Sequence, residues 1–487
     1  MPSDPAVAGV VNFEEARRIV EEHAQRALTA WGDWRATETL DLLAARGRVL
    51  AEAIVADRDF PPFPRATRDG YAVRSADVAQ VPVRLEVVGE IKAGDSPRAS
   101  LNLDRGQAAA IMTGAPLPAG ADAVVMVEYA TVVDASADAA KNPHPNVARN
   151  ATLGWGTLKS FVEVQRSVAS GENVVARGAE ARAGQVLVES GRRLDHALIG
   201  IAASVGKSRV QVFRRPRVAV LATGDEVVEI DAAPGAAQIR NSNSYSLTAQ
   251  IEAAGGEAVR LPIAPDEPAR LRELIAQGFE CDLLLIAGGI SMGKYDLVEQ
   301  VLGEMKGEFY FTGVRMQPGK PAVFGACPCG AGFPFGLAQG RLARADGSPG
   351  AGARTGVSPP QNAQERRVPG TPVSAPHYFF GLPGNPVSTM VTFRLFAQPM
   401  IGALGGARPE PLVFHRARLK TEVRTKMGLT RFLPAVISGA FASAEVELVA
   451  WQGSGDIAAL ARANCYLVIP PDRERIEAGE WVSVLSR

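Results

Sequence analysis

The stretch "LLLIAGGISMGKYDLVEQVL", Leu283 to Leu302, closes an apolar run with two glycines. It then sets Gly288, Gly293 and Lys294 at the spacing of a phosphate-binding G-x-x-x-x-G-K loop, with Tyr295 where Ser or Thr belongs. In such a loop the hydroxyl after the lysine holds the magnesium that bridges the phosphates, and a phenol held out on a ring cannot replace it. The triphosphatase reading therefore loses its metal ligand. What remains is a glycine turn at a helix start, whose N–H groups can meet an anion, with Asp296 nearby as a hard oxygen donor. "ATGDEVV" adds Asp225 and Glu226; alone it is a solvated turn, but beside Asp296 it suggests a divalent cation next to a bound phosphate. "MQPGKPAVFG" offers Lys320 after a Pro-Gly turn, and "GLPGNPVS" a rigid loop with Ser388 at a helix start, two further anion contacts.

The elements that must position these residues begin at Arg215. "PRVAVLATGDEVV" is a buried strand ending in a polar loop, "NSYSLTAQIEAAGG" a helix, "EAVRLPIAPD" a strand, "EPARLRELIAQGF" a helix and "CDLLLIAGG" another strand. Strands alternating with helices of this length predict a parallel, doubly wound α/β sheet with helices on both faces. Ligands bind beyond the carboxyl ends of such strands, which is where Thr223 to Glu226, Asp266 and Gly288 to Asp296 fall. Upstream, Asn12 and Glu15 cap an amphipathic helix that carries Phe13, Ala16, Ile19, Val20, His23 and Ala27 on one face. With no matching partner in the sequence, His23 reads as a packed histidine rather than a ligand. From Val81 to Val133 short apolar alternations broken by Gly/Pro turns predict a β-rich domain, and Ser136 to Ser160 reads as a long polar loop. The tail from Pro411 returns to β-like alternation and predicts a small separate β domain.

Length and composition bound the function. At 487 residues and ~150 residues per domain, about three or four units are expected. Lys plus Arg equals Asp plus Glu at 52 each, so no net field gathers nucleic acid or anionic lipid, and any anion site must be local. The sequence shows neither a basic, apolar leader nor a run of ~18 apolar residues, which predicts a cytoplasmic protein with no nucleic-acid and no membrane partner. Cys281 and Cys465 read as small buried hydrophobes. Cys327 and Cys329 form a "CPC" pair, but no second pair or nearby His completes a zinc site. Between Ala326 and Pro376 the Gly/Pro/Ser-rich composition predicts a disordered surface insertion, and its "GAGARTG" lacks the preceding strand of a dinucleotide motif.

In order along the chain, "RDGYAV", "IMTGAPLPAGADAVV", "ATGDE", "GGISMGKYD", "QPGKP", "LPGNPVS" and "ANCYLVIP" resemble the molybdopterin molybdenumtransferase family, the bacterial MoeA type also found as the C-terminal part of gephyrin. The resemblance runs from about Phe13 to Val484. It implies a homodimer of four-domain protomers: a discontinuous linker and dimer domain over 10–77 and 170–213, an inserted β-rich domain over 78–169, an α/β pterin-binding domain over 214–408 interrupted at 326–376, and a C-terminal β domain over 409–487. It implies transfer of molybdate into adenylylated molybdopterin with release of AMP, aided by Mg2+, with adenylyltransferase-like activity or a dimeric scaffold as the alternatives. By position it implies catalytic roles for Asp69, Thr113, Glu226, Asp266 and Lys320, with Asp69 and Thr113 coming from the other protomer. Substrate contacts fall on Thr223, Gly224, Gly288, Gly289, Ser291, Gly293, Pro383, Gly384, Asn385, Pro386, Ser388 and Ser454, and metal contacts on Asp225, Glu226 and Asp296. Implied partners are the molybdopterin adenylyltransferase and the molybdoenzymes, or their chaperones, that accept the cofactor. Three positions depart from the pattern. Gln317 stands where members often carry Lys, Glu180 where many carry Asp and Pro434 where many carry Arg, with Arg431 as the available substitute.

Overall fold

A computed structural model describes residues 9–31, 35–96, 101–134, 160–289, 297–328, 376–440 and 442–487. The expected loop at 136–160 and nearly all of the expected insertion lie outside them, as do Ser291, Gly293, Lys294, Tyr295, Asp296 and Cys329.

Helix α1 (Phe13–Trp31) starts as the sequence predicts, with the Glu15 N–H donating to Asn12 Oδ1 at 2.7 Å. Its buried face, Phe13, Ala16, Val20, Ala24 and Ala27, packs on the α/β unit rather than on the segments that follow it in sequence. His23 is buried there. Its ring stacks on Tyr310 at 3.8 Å and meets Phe324 and Tyr378 edge-on, and burial pulls its pKa down to about 4.

The chain then builds small antiparallel pairs whose halves lie far apart in sequence. Thr37–Asp41 pairs with Arg209–Phe213, Ile54–Val55 with Val186–Val188, and Arg65–Ala66 with Val174–Val175. Between these halves lies a six-stranded sheet that also takes in Gly70–Val73, hydrogen-bonded between Gln107–Ile111 and Ala123–Met126. A strand expected to belong with residues 10–77 therefore sits inside the β-rich layer. Four residues carry no signal of their long-range partner, so the division at 77/78 was not legible.

The α/β unit contains β1 (Arg217–Ala222), α2 (Ser242–Ala253), β2 (Glu257–Arg260), α3 (Pro268–Gly278), β3 (Leu283–Ala287), α4 (Leu297–Glu304), β4 (Glu308–Phe311), β5 (Met316–Gln317), β6 (Val323–Cys327), β7 (His377–Leu382), α5 (Pro386–Thr392) and α6 (Gln398–Leu404). Its sheet runs β2-β1-β3-β7-β6-β4, with the first four strands parallel. Strand β6 runs antiparallel to both of its neighbours, β7 and β4, so the sheet is mixed rather than wholly parallel as expected. Successive residues of β1 feed opposite cores: Val218 and Val220 join the cluster with α1, α2 and α6, while Ala219 and Leu221 join the one with α3 and α4. Strand β6 keeps Ala326 and Cys327 buried, so the expected insertion begins later than position 326. The neighbouring "CPC" gave that boundary a loop-like composition although its first cysteine faces the core.

The C-terminal unit closes on itself. Strands Phe414–Leu419, β8 (Thr430–Ser438), Glu445–Leu448, Cys465–Ile469 and Trp481–Ser486 form a small barrel through the additional pairing of β8 with Cys465–Ile469. Strand β5 of the α/β unit joins it in parallel, with Gln317 opposite Arg431. Burial pushes the Cys465 thiol up to about 11 and the Cys327 thiol up to about 12, in keeping with inert core cysteines.

Candidate active site

Three loops leave the carboxyl ends of β1, β3 and β7 and meet at the crevice between them. Strand β1 delivers Thr223, which is 3% exposed and whose Oγ1 has no hydrogen-bond partner among the described residues. Gly288 and Gly289, at φ +97° and +64°, lie directly on it. A Cβ on Gly288 would fall 2.7 Å from the Thr223 carbonyl oxygen, and one on Gly289 would fall 2.5 Å from Thr223 Oγ1. Both positions therefore require glycine for conformation and for close approach. The β7 loop closes the third side, where a Cβ on Gly384 would sit 3.6 Å from the Gly288 Cα.

The carboxylates follow from the turn after Thr223. Gly224, at φ +126°, reverses the chain so that Glu226 folds back over it, and a Cβ on Gly224 would meet Glu226 Oε2 at 2.3 Å. Asp225 Oδ1 accepts from the Asp266 N–H at 3.1 Å, which brings Asp266 into the same cluster. Asp225, Glu226 and Asp266 are all exposed. Among the described residues no group of three metal-ligating side chains converges. Two carboxylates with a free oxygen each are nonetheless the donor set that a small hard cation shares with phosphates and water, so the residues present fit magnesium.

Asn385 Nδ2 donates to Ser454 Oγ at 2.9 Å, and the Ser454 carbonyl accepts from the Val387 N–H at 3.0 Å, so a loop of the C-terminal unit is seated on the Pro383–Pro386 turn. Pro383 is buried and Gly384 exposed. Ser388, expected to touch an oxyanion, is buried, because its turn of α5 faces the domain interior; Asn385 and Ser454 stand at the surface beside it. Lys320 is exposed in the turn after β5. Gly319, at φ +110°, lets that turn press on α5, with a Cβ position 2.5 Å from Thr392 Cγ2.

Asp69 and Thr113 also meet: the Thr113 N–H donates to Asp69 Oδ1 at 2.7 Å at the edge of the β-rich sheet, with both residues exposed. No hydrogen bond or ion pair among the described residues joins this pair to Thr223–Glu226 of the same chain. The sequence reading missed Asn243, whose Nδ2 donates to the Gly384 carbonyl at 2.6 Å and whose Oδ1 is buried without a partner among the described residues. The polar run "NSNSY" at the start of α2 was its only signal.

Fold and site define a multidomain α/β protein with glycine-built strand-end loops beside a group of exposed carboxylates. The MoeA N-terminal region (domain I and II) matches residues 11–206, the probable molybdopterin binding domain 219–403, and the MoeA C-terminal region (domain IV) 416–486. A molybdopterin molybdenumtransferase of Nostoc is 32% identical over 92% of this chain and 88% of its own. One of Haemophilus influenzae is 29% identical over 92% and 93%. The crystal structure of a molybdopterin biosynthesis MoeA protein from Pyrococcus horikoshii, 28% identical, aligns with TM-score 0.60 over 98% of this chain and 99% of that one. The chain belongs to the molybdopterin molybdenumtransferase family.

Proposed function

We propose that this chain inserts molybdate into adenylylated molybdopterin and releases AMP, the last step of molybdenum cofactor assembly. The observation that carries the reading is the roof of glycine backbone over a buried Thr223 hydroxyl that has no hydrogen-bond partner among the described residues, flanked by Asp225 and Glu226. A buried hydroxyl without a partner is costly unless a ligand completes it. The strand-end glycines bring main-chain N–H groups to an oxyanion as no bulkier residue could.

In this reading Thr223, Gly288, Gly289, Gly384 and Asn385 hold the pterin phosphate bridge, with Ser291 and Gly293 on the segment that follows. Lys320 and Ser454 face the incoming oxyanion. Asp225, Glu226 and Asp296 would hold magnesium, which when bound supplies positive charge between two anionic groups. Glu226 and Asp266 orient the attacking oxygen. The dithiolene sulfurs that receive the molybdenum belong to the substrate, so the enzyme needs no cysteine, in keeping with the buried thiols of Cys281, Cys327 and Cys465. The enzyme works as a cytoplasmic homodimer in which Asp69 and Thr113 of one protomer complete the site of its partner. It takes substrate from the adenylyltransferase and passes product to molybdoenzymes or their chaperones.

The test is single-turnover incubation with adenylylated molybdopterin, magnesium and molybdate. AMP release that depends on molybdate and consumes no ATP is expected. ATP consumption would indicate adenylylation instead, and binding without AMP release would leave only a scaffold.

A further inference from the structure

The amino ends of the α/β strands carry a second concave feature, at the far end of β1 from the Thr223 crevice. A cleft of about 230 Å³ opens where the small antiparallel pairs meet the α/β unit, and Arg48, Arg193, Arg214 and Arg215 line it together with Gly255 and Gly405, with no carboxylate among the described residues in its wall. Pro216, the residue before β1, belongs to that wall, whereas Thr223 follows the last residue of β1. At ~3.3 Å per residue the two sites stand roughly 20 Å apart. Two of the arginines have acidic partners: Arg48 pairs with Glu38 and Arg214 with Asp282. Arg193 has none among the described residues. Its Nη1 donates to the Gly47 carbonyl and its Nη2 to the Ala254 carbonyl, both at 2.8 Å, so one guanidinium ties the two units together. Gly255, at φ +89°, makes room for it, since a Cβ there would fall 2.3 Å from Arg193 Nη1. Arg215 is exposed, with no hydrogen bond or ion pair among the described residues. Against the Phe213 ring, which also lines the cleft, lies the buried Arg35, whose Nε has no partner among the described residues.

Helix capping accounts for part of this charge. Arg193 and Arg35 donate to carbonyls at the ends of α2 and α6, and the two helix ends together offset about one of the three guanidinium charges that lack a carboxylate. Burial, and after it the Arg215 charge, pull the Arg193 pKa below the usual guanidinium value, while the exposed Glu410 acts the other way without an ion pair to it. The seam is therefore left positive, and like charges gathered there are costly until an anion joins them. The size of the cleft bounds that anion. Pockets that enclose a whole drug-sized ligand start at roughly 300 Å³, so this smaller cleft suits an anionic group rather than a complete cofactor. Guanidinium forks offer paired N–H donors that match the oxygens of a phosphate. We propose that the cleft is a second anion site, in which Arg193 and Arg215 receive the tetrahedral dianion of a phosphate group, free or carried on a small ester, remote from the strand-end chemistry. Occupancy screens the arginines of the two units from one another and so tightens the seam that Arg193 already bridges.

The experiment titrates the full-length protein with inorganic phosphate and, separately, with glycerol phosphate, by calorimetry at constant ionic strength and alongside thermal unfolding. Saturable binding of one phosphate group per chain is expected, with the unfolding midpoint rising as the site fills. Arg193→Gln and Arg215→Gln should each weaken binding about tenfold, and Arg215→Lys should recover part of the loss. Thr223→Val, which alters the strand-end crevice, should leave this binding unchanged. Arg215 lies at the surface, so Arg215→Gln keeps the test decisive should Arg193→Gln not fold. Tighter binding of the ester would assign the site to a phosphorylated metabolite, and equal or tighter binding of the free ion to inorganic phosphate; either result supports the site. Absence of saturable binding below ~10 mM, wild-type affinity in Arg215→Gln, or a loss in Thr223→Val instead would overturn it.

Discussion

The crevice around Thr223 and the exposed pair Asp69–Thr113 are two ways of building half a site. In the first, three parallel strands end together and neighbouring atoms press so closely that glycine is the only residue with room at Gly288 and Gly289. In the second, one side chain accepts one N–H at the rim of a sheet, and both residues are open to solvent. The first is pre-organised by the core of a single domain. The second has a fixed shape and, among the described residues, no hydrogen bond or ion pair to the first; the proposed function gives it to a partner's site.

That difference is most severely tested at Gly289. A Cβ there would meet Thr223 Oγ1 at 2.5 Å and Val298 Cγ2 at 2.8 Å on a backbone at φ +64°. Gly289→Ala should therefore abolish AMP release and cost about 2 kcal/mol or more of stability by urea unfolding. An active, stable variant would mean that the crevice is not rigid. Glu226→Gln keeps the shape and removes a charge. A folded protein that binds adenylylated molybdopterin but releases AMP about a hundredfold more slowly is expected, each ~1.4 kcal/mol of barrier being tenfold in rate. A wild-type single-turnover rate would take Glu226 out of the mechanism.

Asp69→Asn should lower turnover roughly tenfold without loss of stability, since the Thr113 N–H keeps an acceptor. Mixing the impaired Asp69→Asn and Glu226→Gln protomers should then raise activity above that of either variant alone, to about a quarter of wild type if subunits exchange freely in a two-fold dimer. Absence of any restoration in exchanged, mixed dimers would place both halves in one chain. The smallest effect belongs to Thr223→Val. Deleting a buried hydroxyl that has no partner among the described residues should leave stability within ~1 kcal/mol of wild type, or raise it, while weakening substrate binding several-fold. A marked loss of stability would show that the hydroxyl is satisfied without ligand.

Much of the crevice was legible because its signals are local. A buried strand running into Thr-Gly-Asp-Glu, another running into Gly-Gly, and a Pro-Gly-Asn-Pro turn each announce a strand end, and alternation with helices says that the ends share an edge. What stayed hidden depends on side-chain direction or on distant pairing. Ser388 has the right type at the right helix start yet points inward. Asn243 reads as one polar residue in a helix, although it braces Gly384 from 141 positions away. Gly70–Val73 is too short to declare its sheet, and the reversal of β6 between β7 and β4 follows from connections that composition does not encode. The neutral Gln317 looked like a lost charge until its register partner proved to be an arginine.

The pairing of β5 with β8 also sets an order of assembly on the ribosome. Gln317 waits for a neighbour 114 residues downstream, so the α/β sheet can be complete while the seam beside Lys320 still gapes. During synthesis the strand-end loops of the nascent chain can thus take shape before the seam exists, and the emergence of the barrel fixes the moment at which it closes.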